Sequence, residues 1–559
     1  ERTARSWRFT VPLSPRRWRH EVDERVLWDG SVLERPPAEQ IQRLAGGLAD
    51  AGIDAVAVCF LFSFLSPENE QAVAALLSGL GPWYVTSSHE IARQSREYER
   101  FSTTILNAFV GPKAKRHLDG LQKYFEGENV GTDRAFLMST SGGAMTWKTA
   151  ARLPINLVNS GPAGGVRGAV EIARSMGLTD IITYDMGGTS TDVCLVKGLE
   201  PVITSEGYLD RRPFMVPQLD LSSIGAGGGS IAWIDLGGEL NVGPRSAGAN
   251  PGPACYQRGG TEPTVTDANA VLGRLPEDHP LGGVVHLSLA HAEKAVQKIA
   301  DAFPGMSVDE AAEGIVRIAV AKMTTAIREV SVARGLDPRE FVLFAYGGAG
   351  PMHATQVAAE LDIPQVVVPP APGNFSALGL IMSDVRHDLV QSRFVRLSAL
   401  DVPGYEETFA SLEREARQRL HEEGFRDERI LITRSADMRY VGQWFELNVA
   451  MPEKPRSMEE IDRIFRRAHL ERFGVDMERP TEFIHFRLAA HGLVSKPRLP
   501  EARAGGRLTE LTRRLARFEG KRLEVPVYER SAIPVGVEFS GPAIIVEFGA
   551  TTVLSPGYN

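Results

Sequence analysis

Cysteine is scarce in this chain of 559 residues, where it occurs only at Cys59, Cys194 and Cys255. No two of these form a Cys-x-x-Cys pair, so neither a structural zinc site nor a disulfide framework is predicted. A chain of this length can bury large cores without covalent cross-links, and two to four domains are expected. The cysteine pattern is typical of a protein from a reducing compartment.

The sequence also lacks an apolar run of the roughly 20 residues that cross a bilayer. Its longest run, residues 53–64, contains Asp54 and Ser63 and is interpreted as a buried strand. The first residues do not form a charged and then apolar leader with a small-residue cleavage site. We therefore expect a cytoplasmic protein that does not bind membranes. Because the first residue is Glu1 and not methionine, the natural chain is expected to begin further upstream.

Neither sign of charge is in large excess, since 62 basic and 70 acidic residues give a formal net charge of −8. Proteins that neutralise many phosphates usually carry a strongly basic face, so nucleic acid is not an expected partner. The content of 43% hydrophobic and 24% charged residues is that of a folded globular protein.

Two common phosphate-binding motifs are missing as well. No Gly-x-x-x-x-Gly-Lys-[Ser/Thr] segment occurs, so the chain is not a P-loop NTPase. The glycine-rich residues 225–229 follow Ile224, but they do not lead into a helix with an acidic residue about 20 positions later. A dinucleotide site of the Rossmann type is therefore not favoured.

The first 145 residues alternate between helical and strand-like patterns, as in an α/β domain. A break in the third helix is expected near Gly111-Pro112. The spacing of apolar residues predicts helices over 37–51, 68–80 and 98–125 and strands over 53–62, 83–87 and 135–140.

Residues 146–395 form a second α/β block, which holds most of the glycine-rich turns. Residues 221–273 are dense in glycine and proline, and so long a loop is usually functional or mobile. The block is predicted to contain strands at 155–159, 181–184, 193–196 and 341–346 and helices from Val166, over 308–333 and after Pro351.

The glycine turns disappear in residues 396–559. A helix is predicted over 405–423, followed by strand-like segments such as 523–528 and 543–548. A separate, β-richer C-terminal domain is therefore expected.

The strongest local signal is Asp-Met-Gly-Gly-Thr-Ser-Thr-Asp at 185–192, which lies between two apolar runs and predicts the tip of a β-hairpin. Gly187 and Gly188 allow a tight turn and leave room for a phosphate beside the backbone amides. Further hydrogen-bond donors are the hydroxyls of Thr189, Ser190 and Thr191.

Two acidic residues, Asp185 and Asp192, flank this tip. A carboxylate repels phosphate, but it can hold Mg²⁺ or its waters beside the phosphate. This combination favours a metal–nucleotide site over an ordinary glycine turn.

The segment Gly347-Gly348-Ala349-Gly350-Pro351 follows an apolar strand and precedes a helix. Amides at a helix N-terminus attract anions or polar groups of a nucleotide, although a packing turn explains the segment equally well. His353, in the first turn of that helix, is interpreted as a packing or capping residue in preference to a general base. Residues 160–165 repeat the order of strand, glycine turn and helix, with the same two interpretations.

Segment 185–192 resembles a phosphate hairpin of the actin, Hsp70 and sugar-kinase superfamily, and further segments resemble the hydantoinase A/5-oxoprolinase family. In family order, these further segments are Tyr98-Glu99-Arg100, Thr103-Thr104, Asn107-Ala108, residues 159–165, 224–230, 243–248, 251–256 and 260–269, and Arg439-Tyr440-Val441-Gly442-Gln443.

The resemblance implies actin/Hsp70/sugar-kinase-like (ribonuclease H-like) α/β ATPase domains with a β-richer C-terminal domain. Residues 1–145 would be the remainder of the N-terminal α/β domain, 146–395 the ATP-binding α/β domain, and 396–559 a C-terminal mixed α/β domain. Family members usually open with an Asp-x-Gly-Gly-Thr-Phe-Thr-Asp hairpin that clasps the phosphates from the other side. No such segment is present in residues 1–559, and ATP turnover is expected to depend on whether the natural chain has one.

The resemblance also implies ATP-dependent activation of a carbonyl oxygen. In members that act on cyclic amides, the γ-phosphoryl group passes to the amide oxygen and supplies the poor electrophile with a leaving group. Related ketone carboxylases use the same step to make an enol phosphate that attacks CO₂. In both cases the protein contributes positioning and neutralisation of charge.

Residue roles follow from the resemblance. Asp185 and Asp192 would be catalytic and hold Mg²⁺, residues 187–191 would bind the phosphates of ATP, and residues 347–351 would serve the nucleoside side. A loop between the nucleotide and the substrate or partner subunit would include Gly225, Gly227, Gly228 and Asp267.

The expected function is that of a hydrolase subunit that opens a hydantoin, 5-oxoproline or a similar lactam with ATP. The alternative is a subunit of an ATP-dependent acetone- or acetophenone-type carboxylase. An ATP-driven switch protein like actin or Hsp70 is less favoured, because the matching segments extend beyond the nucleotide site. The resemblance alone implies a second, hydantoinase B-type subunit and an oligomeric assembly.

Overall fold

A computed structural model describes residues 11–129, 131, 135–275, 277–278, 280–497 and 507–559. These residues form two compact units. The first unit consists of the described residues within Glu1–Ser160, Thr204–Gln218 and Asp384–Ser495. The second unit consists of those within Gly161–Ile203, Leu219–Ser383 and Lys496–Asn559. Helices and strands alternate in both, so the prediction of an α/β protein is confirmed.

The helices of the described residues are α1 Ala38–Asp50, α2 Glu68–Leu80, α3 Ser88–Ile91, α4 Glu97–Gly127, α5 Trp147–Arg152, α6 Ser160–Ser175, α7 Val265–Val271, α8 Leu289–Ala300, α9 Val308–Val330, α10 Gly350–Glu360, α11 Phe375–Ile381, α12 Val402–Glu422 and α13 Met458–Phe473. Within the described part of the chain, none of them is both long enough and apolar enough to span a membrane.

The strands are β1 Arg25–Val26, β2 Val32–Glu34, β3 Ala55–Val58, β4 Tyr84–Ser87, β5 Phe136–Met138, β6 Ala144–Thr146, β7 Ile181–Met186, β8 Thr191–Lys197, β9 Glu200–Pro201, β10 Ile203–Thr204, β11 Gly207–Leu209, β12 Arg212–Phe214, β13 Gln218–Leu219, β14 Leu221–Ile224, β15 Ser230–Ile234, β16 Leu240–Ser246, β17 Val342–Tyr346, β18 Val366–Val367, β19 Val385–Arg396, β20 Ile430–Tyr440, β21 Leu447–Ala450, β22 Thr481–Gly492, β23 Thr512–Phe518, β24 Lys521–Glu529, β25 Ala543–Glu547 and β26 Ala550–Leu554.

The first unit contains two sheets that carry most of its core. Strands β3 and β4 pair in parallel, and apolar residues of α1 and α2 pack with them around Val58 and Trp83. A six-stranded sheet of order β21-β20-β22-β19-β6-β5 packs against α12 and α13. The phenylalanine rings of this second core are close together, with Phe483 stacked on Phe486 at 4.6 Å between ring centroids.

A buried arginine holds together the loops of the first unit. Arg100 on α4 is fully buried, and its guanidinium donates hydrogen bonds to the backbone carbonyls of Phe60, Leu61 and Gln94. Burial lowers the pKa of Arg100 in spite of the nearby carboxylate of Glu70. A buried charge is tolerated when its donors are satisfied, so the Tyr98-Glu99-Arg100 segment has a structural explanation.

The second unit is built on a mixed sheet of order β14-β8-β7-β17-β18, with β9 paired to the end of β8. Strand β8 is antiparallel to both of its neighbours, β7 and β14, whereas β17 runs parallel to both β7 and β18. Since β7 and β17 are parallel and in register, with Tyr346 opposite Asp185, their carboxyl ends meet at the same edge of the sheet. This edge receives the two turns that the sequence singles out.

The C-terminal strands belong to this second unit. They form a sheet of order β23-β24-β25-β26, whose apolar residues join the core formed by β7, β8, β17 and α9. On α10 the Thr355 hydroxyl donates to the Val553 carbonyl on β26 over 3.1 Å. The expectation that the late segments are strands is confirmed, while the predicted domain boundaries stay a prediction.

Three predictions of local structure are wrong. Residues 155–159 do not form a strand, because Pro154–Leu157 is a 3-10 helix in which the Ile155 amide donates to Asn107 Oδ1. Helix α4 is not broken at Pro112, although a proline in a helix interior costs about 3 kcal/mol. The neighbouring Gly111 is needed for packing, since a Cβ placed there would lie 2.3 Å from the ring of Tyr84.

The third error concerns residues 160–165, which are the first turns of α6 and not a turn that precedes a helix. The glycines of α6 allow close packing: a Cβ on Gly165 would lie 2.4 Å from the Tyr346 ring. Likewise, a Cβ on Gly379 of α11 would lie 1.8 Å from the Gly164 carbonyl oxygen. The long glycine-rich segment 221–273 also contains regular structure, namely β14, β15, β16 and α7.

We predict that Gly165→Ala destabilises the second unit by about 1–3 kcal/mol, because the added methyl group overlaps the buried Tyr346 ring. Tyr346 cannot move away, since Phe375 packs against it at 4.8 Å. Gly161→Ala, in the same helix, is the matched control because a Cβ there meets no atom within 4 Å. Thermal unfolding of both variants measures the difference, and equal midpoints would contradict this account of α6.

Candidate functional site

The predicted hairpin is present, and β7 and β8 form its two strands. Met186 pairs with Thr191, so Gly187, Gly188, Thr189 and Ser190 form the tip. The turn is closed by a hydrogen bond of 3.1 Å from the Gly187 amide to the Ser190 carbonyl. A Cβ placed on either glycine would meet no atom within 4 Å, so the backbone of this tip is open to a ligand.

Register places the two carboxylates on one face of the sheet. Asp185 and Asp192 are direct partners across β7 and β8, and Ser223 on β14 is the next residue in the same row. Paired residues on neighbouring strands have Cβ atoms about 4.5–5.5 Å apart. The row therefore consists of two carboxylates followed by a hydroxyl.

These carboxylates are harder to ionise than ordinary aspartates. Burial, together with the charge of Asp192, raises the pKa of Asp185 to about 6. Burial also raises the pKa of Asp192, although hydrogen bonds from Ser223 and Ser190 oppose this effect. Within the described part of the chain, no ion pair joins either carboxylate to a basic side chain, and the charge that acts on Asp185 is that of Asp192.

A glycine-rich loop, residues 225–229, packs against the hairpin tip. The amides of Gly228 and Gly229 donate to the carbonyls of Gly187 and Gly188 over 3.0 and 2.6 Å. A Cβ on Gly227 would lie 2.6 Å from the Thr189 amide nitrogen. Gly227 and Gly228 therefore lie against the predicted phosphate tip, and at Gly227 only glycine permits such a distance. Gly225 packs against Pro244, since a Cβ there would lie 2.9 Å from the proline ring.

Two of the predicted polar residues, Thr191 and Asp267, make hydrogen bonds within the glycine-rich segment. The Thr191 hydroxyl donates to the Ala226 carbonyl, so this side chain fastens the loop to the hairpin. The buried Asp267 carboxylate accepts hydrogen bonds from the amides of Ala254, Cys255 and Thr264 and from the Thr264 hydroxyl. Asp267 thereby completes the capping box of α7, whose N-cap is Thr264, and orders the segment before it, while a contact with substrate stays a prediction.

The second predicted turn, residues 347–351, lies directly beside Asp185. Gly347 has a positive φ of 84°, and a Cβ there would be 2.4 Å from Asp185 Oδ1. The Ala349 amide donates to the Met186 carbonyl over 2.9 Å, and α10 begins at Gly350 with Pro351 in its first turn. The structure thus brings Gly347, Gly348, Ala349, Gly350 and Pro351 next to the hairpin.

His353 is the packing residue that the sequence predicts. It is fully buried, and its Nε2 lies 3.3 Å from the Asn269 side-chain nitrogen. Burial, reinforced by the charge of Arg274, lowers the pKa of His353 to about 3. A neutral, enclosed imidazole of this kind cannot exchange protons with a substrate at neutral pH.

Sequence reasoning missed Ser376 and the turn before it. The Ser376 hydroxyl donates to Asp185 Oδ2 over 3.4 Å, and the Gly347 amide donates to the Pro372 carbonyl over 2.9 Å. The segment follows the short strand β18 and precedes α11, so it has the same order of strand, glycine turn and helix that identified residues 347–351. Its single glycine, Gly373, made the pattern less conspicuous.

The side chains that hydrogen-bond to Asp185 and Asp192 are hydroxyls, those of Ser190, Ser223 and Ser376, so all of these side chains present oxygen atoms. Hard cations such as Mg²⁺ prefer oxygen, and a close pair of uncompensated carboxylates with raised pKa values gains from binding one. The described residues hold no group of three or more His, Cys, Asp or Glu side chains that could bind a metal ion by themselves. These oxygen atoms therefore fit a cation whose remaining ligands are phosphate or water oxygens. They do not fit a structural metal site in which the protein supplies every ligand.

Two cavities of about 650 and 1320 Å³ occur in the first unit. The smaller one is enclosed mainly by apolar residues of α1, β3 and α4, and the larger one borders the buried His387–Glu423 pair. None of the predicted site residues lines either cavity. The candidate site is instead the open edge of the sheet in the second unit.

Comparison with protein families gives matches along most of the chain. The model of the hydantoinase/oxoprolinase family matches residues 100–389. Models of the hydantoinase/oxoprolinase N-terminal region and C-terminal domain match residues 1–81 and 404–559.

Individual relatives match nearly the whole chain. Caprolactamase subunit alpha from Pseudomonas jessenii is 34% identical over 98% of this chain and 80% of its own length. The acetophenone carboxylase gamma subunit of Aromatoleum aromaticum is 33% identical over 98% of this chain and 78% of its own. The crystal structure of ATP-dependent caprolactamase from Pseudomonas jessenii has a TM-score of 0.86, with 32% identity over 99% of this chain and 82% of that chain.

The raised pKa of Asp185 predicts a stability effect that depends on pH. Because the carboxyl ionises less readily in the folded protein, its ionisation opposes folding: this cost is absent below about pH 4 and complete above about pH 6. Without divalent cations, Asp185→Asn should therefore stabilise the protein by about 1–3 kcal/mol near pH 7.5, with a much smaller effect near pH 4.5. Thermal unfolding at both pH values measures it.

The exposed Asp301 provides the control, since Asp301→Asn should give the same small change at both pH values. An Asp185→Asn effect that does not change with pH would contradict the assigned environment of this carboxyl.

Proposed function

Because the chain belongs to the hydantoinase/oxoprolinase family, we propose that it is an ATP-dependent hydrolase subunit that opens a cyclic amide. Its substrate class is a hydantoin, 5-oxoproline or a similar lactam. The observation that carries this proposal is the hairpin tip at 187–190, with open backbone amides between two carboxylates at the edge of the sheet. The ATP-dependent caprolactamase, which this chain resembles, supports ATP as the co-substrate.

The topology of the second unit supports a finer assignment of fold. Three consecutive antiparallel strands, β7, β8 and β14, are followed on the other side of β7 by the parallel strands β17 and β18. This arrangement is consistent with a ribonuclease H-like domain of the actin, Hsp70 and sugar-kinase type. We include that assignment in the proposal.

The hairpin tip would bind the terminal phosphates of ATP. The amides of Gly188 and Thr189 and the hydroxyls of Thr189 and Ser190 are the donors at this tip, and Gly188 and Thr189 are exposed. Without a Cβ, Gly187 and Gly188 let a phosphate oxygen approach the backbone. The loop at 227–229 holds the tip in place, so little reorganisation is needed when the nucleotide binds.

Asp185 and Asp192 would hold Mg²⁺, directly or through its waters. The cation would supply the positive charge that offsets both the carboxylate pair and the phosphates. Ser376 and Gly347 keep Asp185 in position, through a hydrogen bond and through the space that a missing Cβ leaves. The turn at 347–351 would receive the nucleoside side of ATP.

The proposed chemistry turns the carbonyl oxygen of the lactam into a leaving group. A new bond forms between this oxygen and the γ-phosphorus, the bond from that phosphorus to ADP breaks, and water then opens the activated amide. The chain positions the phosphates, orients the two reactants and offsets charge. Since the relatives are named as subunits, we propose that a second protein subunit completes the enzyme.

A ketone carboxylase subunit is the second candidate. The relative named acetophenone carboxylase gamma subunit is nearly as similar as caprolactamase subunit alpha, at 33% against 34% identity. Both candidates share the activation of a carbonyl oxygen by ATP, and they differ in the organic substrate.

We predict that Asp185→Ala lowers substrate-stimulated ATP hydrolysis at least about 100-fold, because the cation loses one of its two carboxylates. The change should not unfold the protein, since it removes an uncompensated buried charge. Asp301→Ala, at the exposed residue that follows α8, is the control. Release of ADP by the complete protein with its partner subunit measures the effect, and full activity of Asp185→Ala would show that the site lies elsewhere.

The same assay identifies the substrate class. Hydantoins, five- to seven-membered lactams and 5-oxoproline are compared with ketones in the presence of bicarbonate. Stimulation of ADP release by a cyclic amide, with appearance of the ring-opened acid, is the expected result. If only a ketone with bicarbonate stimulates ADP release, the proposal of a hydrolase is wrong and that of a carboxylase takes its place.

A further inference from the structure

Three turns from distant parts of the sequence meet beside the N-terminus of α10. Gly347 is joined to the turn at 372–374 by the hydrogen bond to Pro372. A Cβ on Gly348 would lie 3.4 Å from the Gly549 carbonyl oxygen, and a Cβ on Gly373 would lie 2.5 Å from the same atom. The contact between these turns is thus backbone against backbone, without intervening side chains.

The third of these turns connects β25 to β26, residues 547–550. Strand β26 lies along α10, because Thr355 Oγ1 contacts both the Val553 carbonyl and, at 2.8 Å, Ser555 Oγ. Since Gly549 is beside Gly348 and Val553 is beside Thr355, the turn lies at the end of α10 that faces the candidate site. The C-terminal strands therefore reach the proposed nucleotide site at this turn.

The turn is fixed in place by a partly buried ion pair. Arg530 Nη1 lies 2.9 Å from Glu547 Oε1, and Arg530 Nη2 donates to the Val368 carbonyl over 2.6 Å. Val368 follows β18 and leads into the turn at 372–374. One arginine thus connects the turn at 547–550 to the strand that ends next to the site.

Phe548 lies at the tip of this rigid turn and is 68% exposed. The edge of its ring approaches the turn at 282–283, since a Cβ on Gly283 would lie 3.8 Å from Phe548 Cε2. By contrast, its neighbours Val546 and Ala550 on the two strands are buried in the core. An aromatic ring that is largely exposed on a well-fixed turn is suited to stack on another planar group.

We propose that Phe548 stacks on the base of the bound nucleotide and gives the site its preference for a purine. This inference rests on the proposed function, which places the nucleoside of ATP against residues 347–351. Glycines at 348, 373 and 549 let the turn that carries Phe548 pack directly against residues 347–351. A purine offers a larger stacking face than a pyrimidine. Phe548 acts by contact with the base and takes no part in the transfer of the phosphoryl group.

Stacking is tested by the variants Phe548→Ala and Phe548→Trp in the complete protein with its partner subunit. Isothermal titration measures the Kd of Mg-ATP, Mg-CTP and magnesium tripolyphosphate, the last of which has no base. We expect Phe548→Ala to raise the Kd of Mg-ATP about tenfold and to bring the Kd values of Mg-ATP and Mg-CTP closer together. The Kd of magnesium tripolyphosphate should not change. Phe548→Trp should retain the affinity for Mg-ATP.

The matched control is Trp444→Ala, which removes an aromatic side chain that is 90% exposed in the first unit and should change none of these values. Unchanged binding of Mg-ATP by Phe548→Ala, or an equal loss for tripolyphosphate, would overturn stacking and leave the proposed function intact. Failure of the unmodified protein to bind both Mg-ATP and tripolyphosphate would overturn the phosphate site itself.

Discussion

The repulsion between two carboxylates is the constraint around which the second unit is organised. Strand register makes Asp185 and Asp192 direct neighbours, and no described basic side chain pairs with either. If the two aspartates served only to stabilise the fold, replacement of one of them by a neutral residue would increase the stability of the protein. The raised pKa values of both carboxyls express this electrostatic cost, and the proposed cation would offset it.

Close contacts between glycine backbones fix the positions of the turns around this site. The hairpin tip, the loop at 227–229 and the turn at 347–348 touch through amides and carbonyls, at distances that exclude a Cβ. Side chains at these contacts would adopt several rotamers, whereas stacked backbone segments have few alternatives. The many glycines of this region therefore produce rigidity, in contrast to their usual effect in an isolated loop.

How much the sequence reveals depends on whether the relevant contacts are local. The hairpin could be predicted because β-branched and apolar runs flank Gly187-Gly188, and register then fixes the positions of both aspartates. Residues 160–165 were assigned to a turn, since local propensity disfavours glycine in helices, yet contacts with Tyr346 and Gly379 reverse that preference. Ser376 follows only a weak local pattern with a single glycine, and the turn at 547–550 reaches the site through tertiary contacts that no local pattern identifies.

The second unit is discontinuous in the sequence, and this affects the order in which it can form during translation. Residues 384–495 of the first unit separate α10 from β26, the strand that packs against it. At about 5–20 residues per second, the ribosome needs many seconds to make the intervening stretch. During that interval α10 lacks the strand that packs against it, so this part of the second unit is completed only after the whole of residues 384–495 has been made.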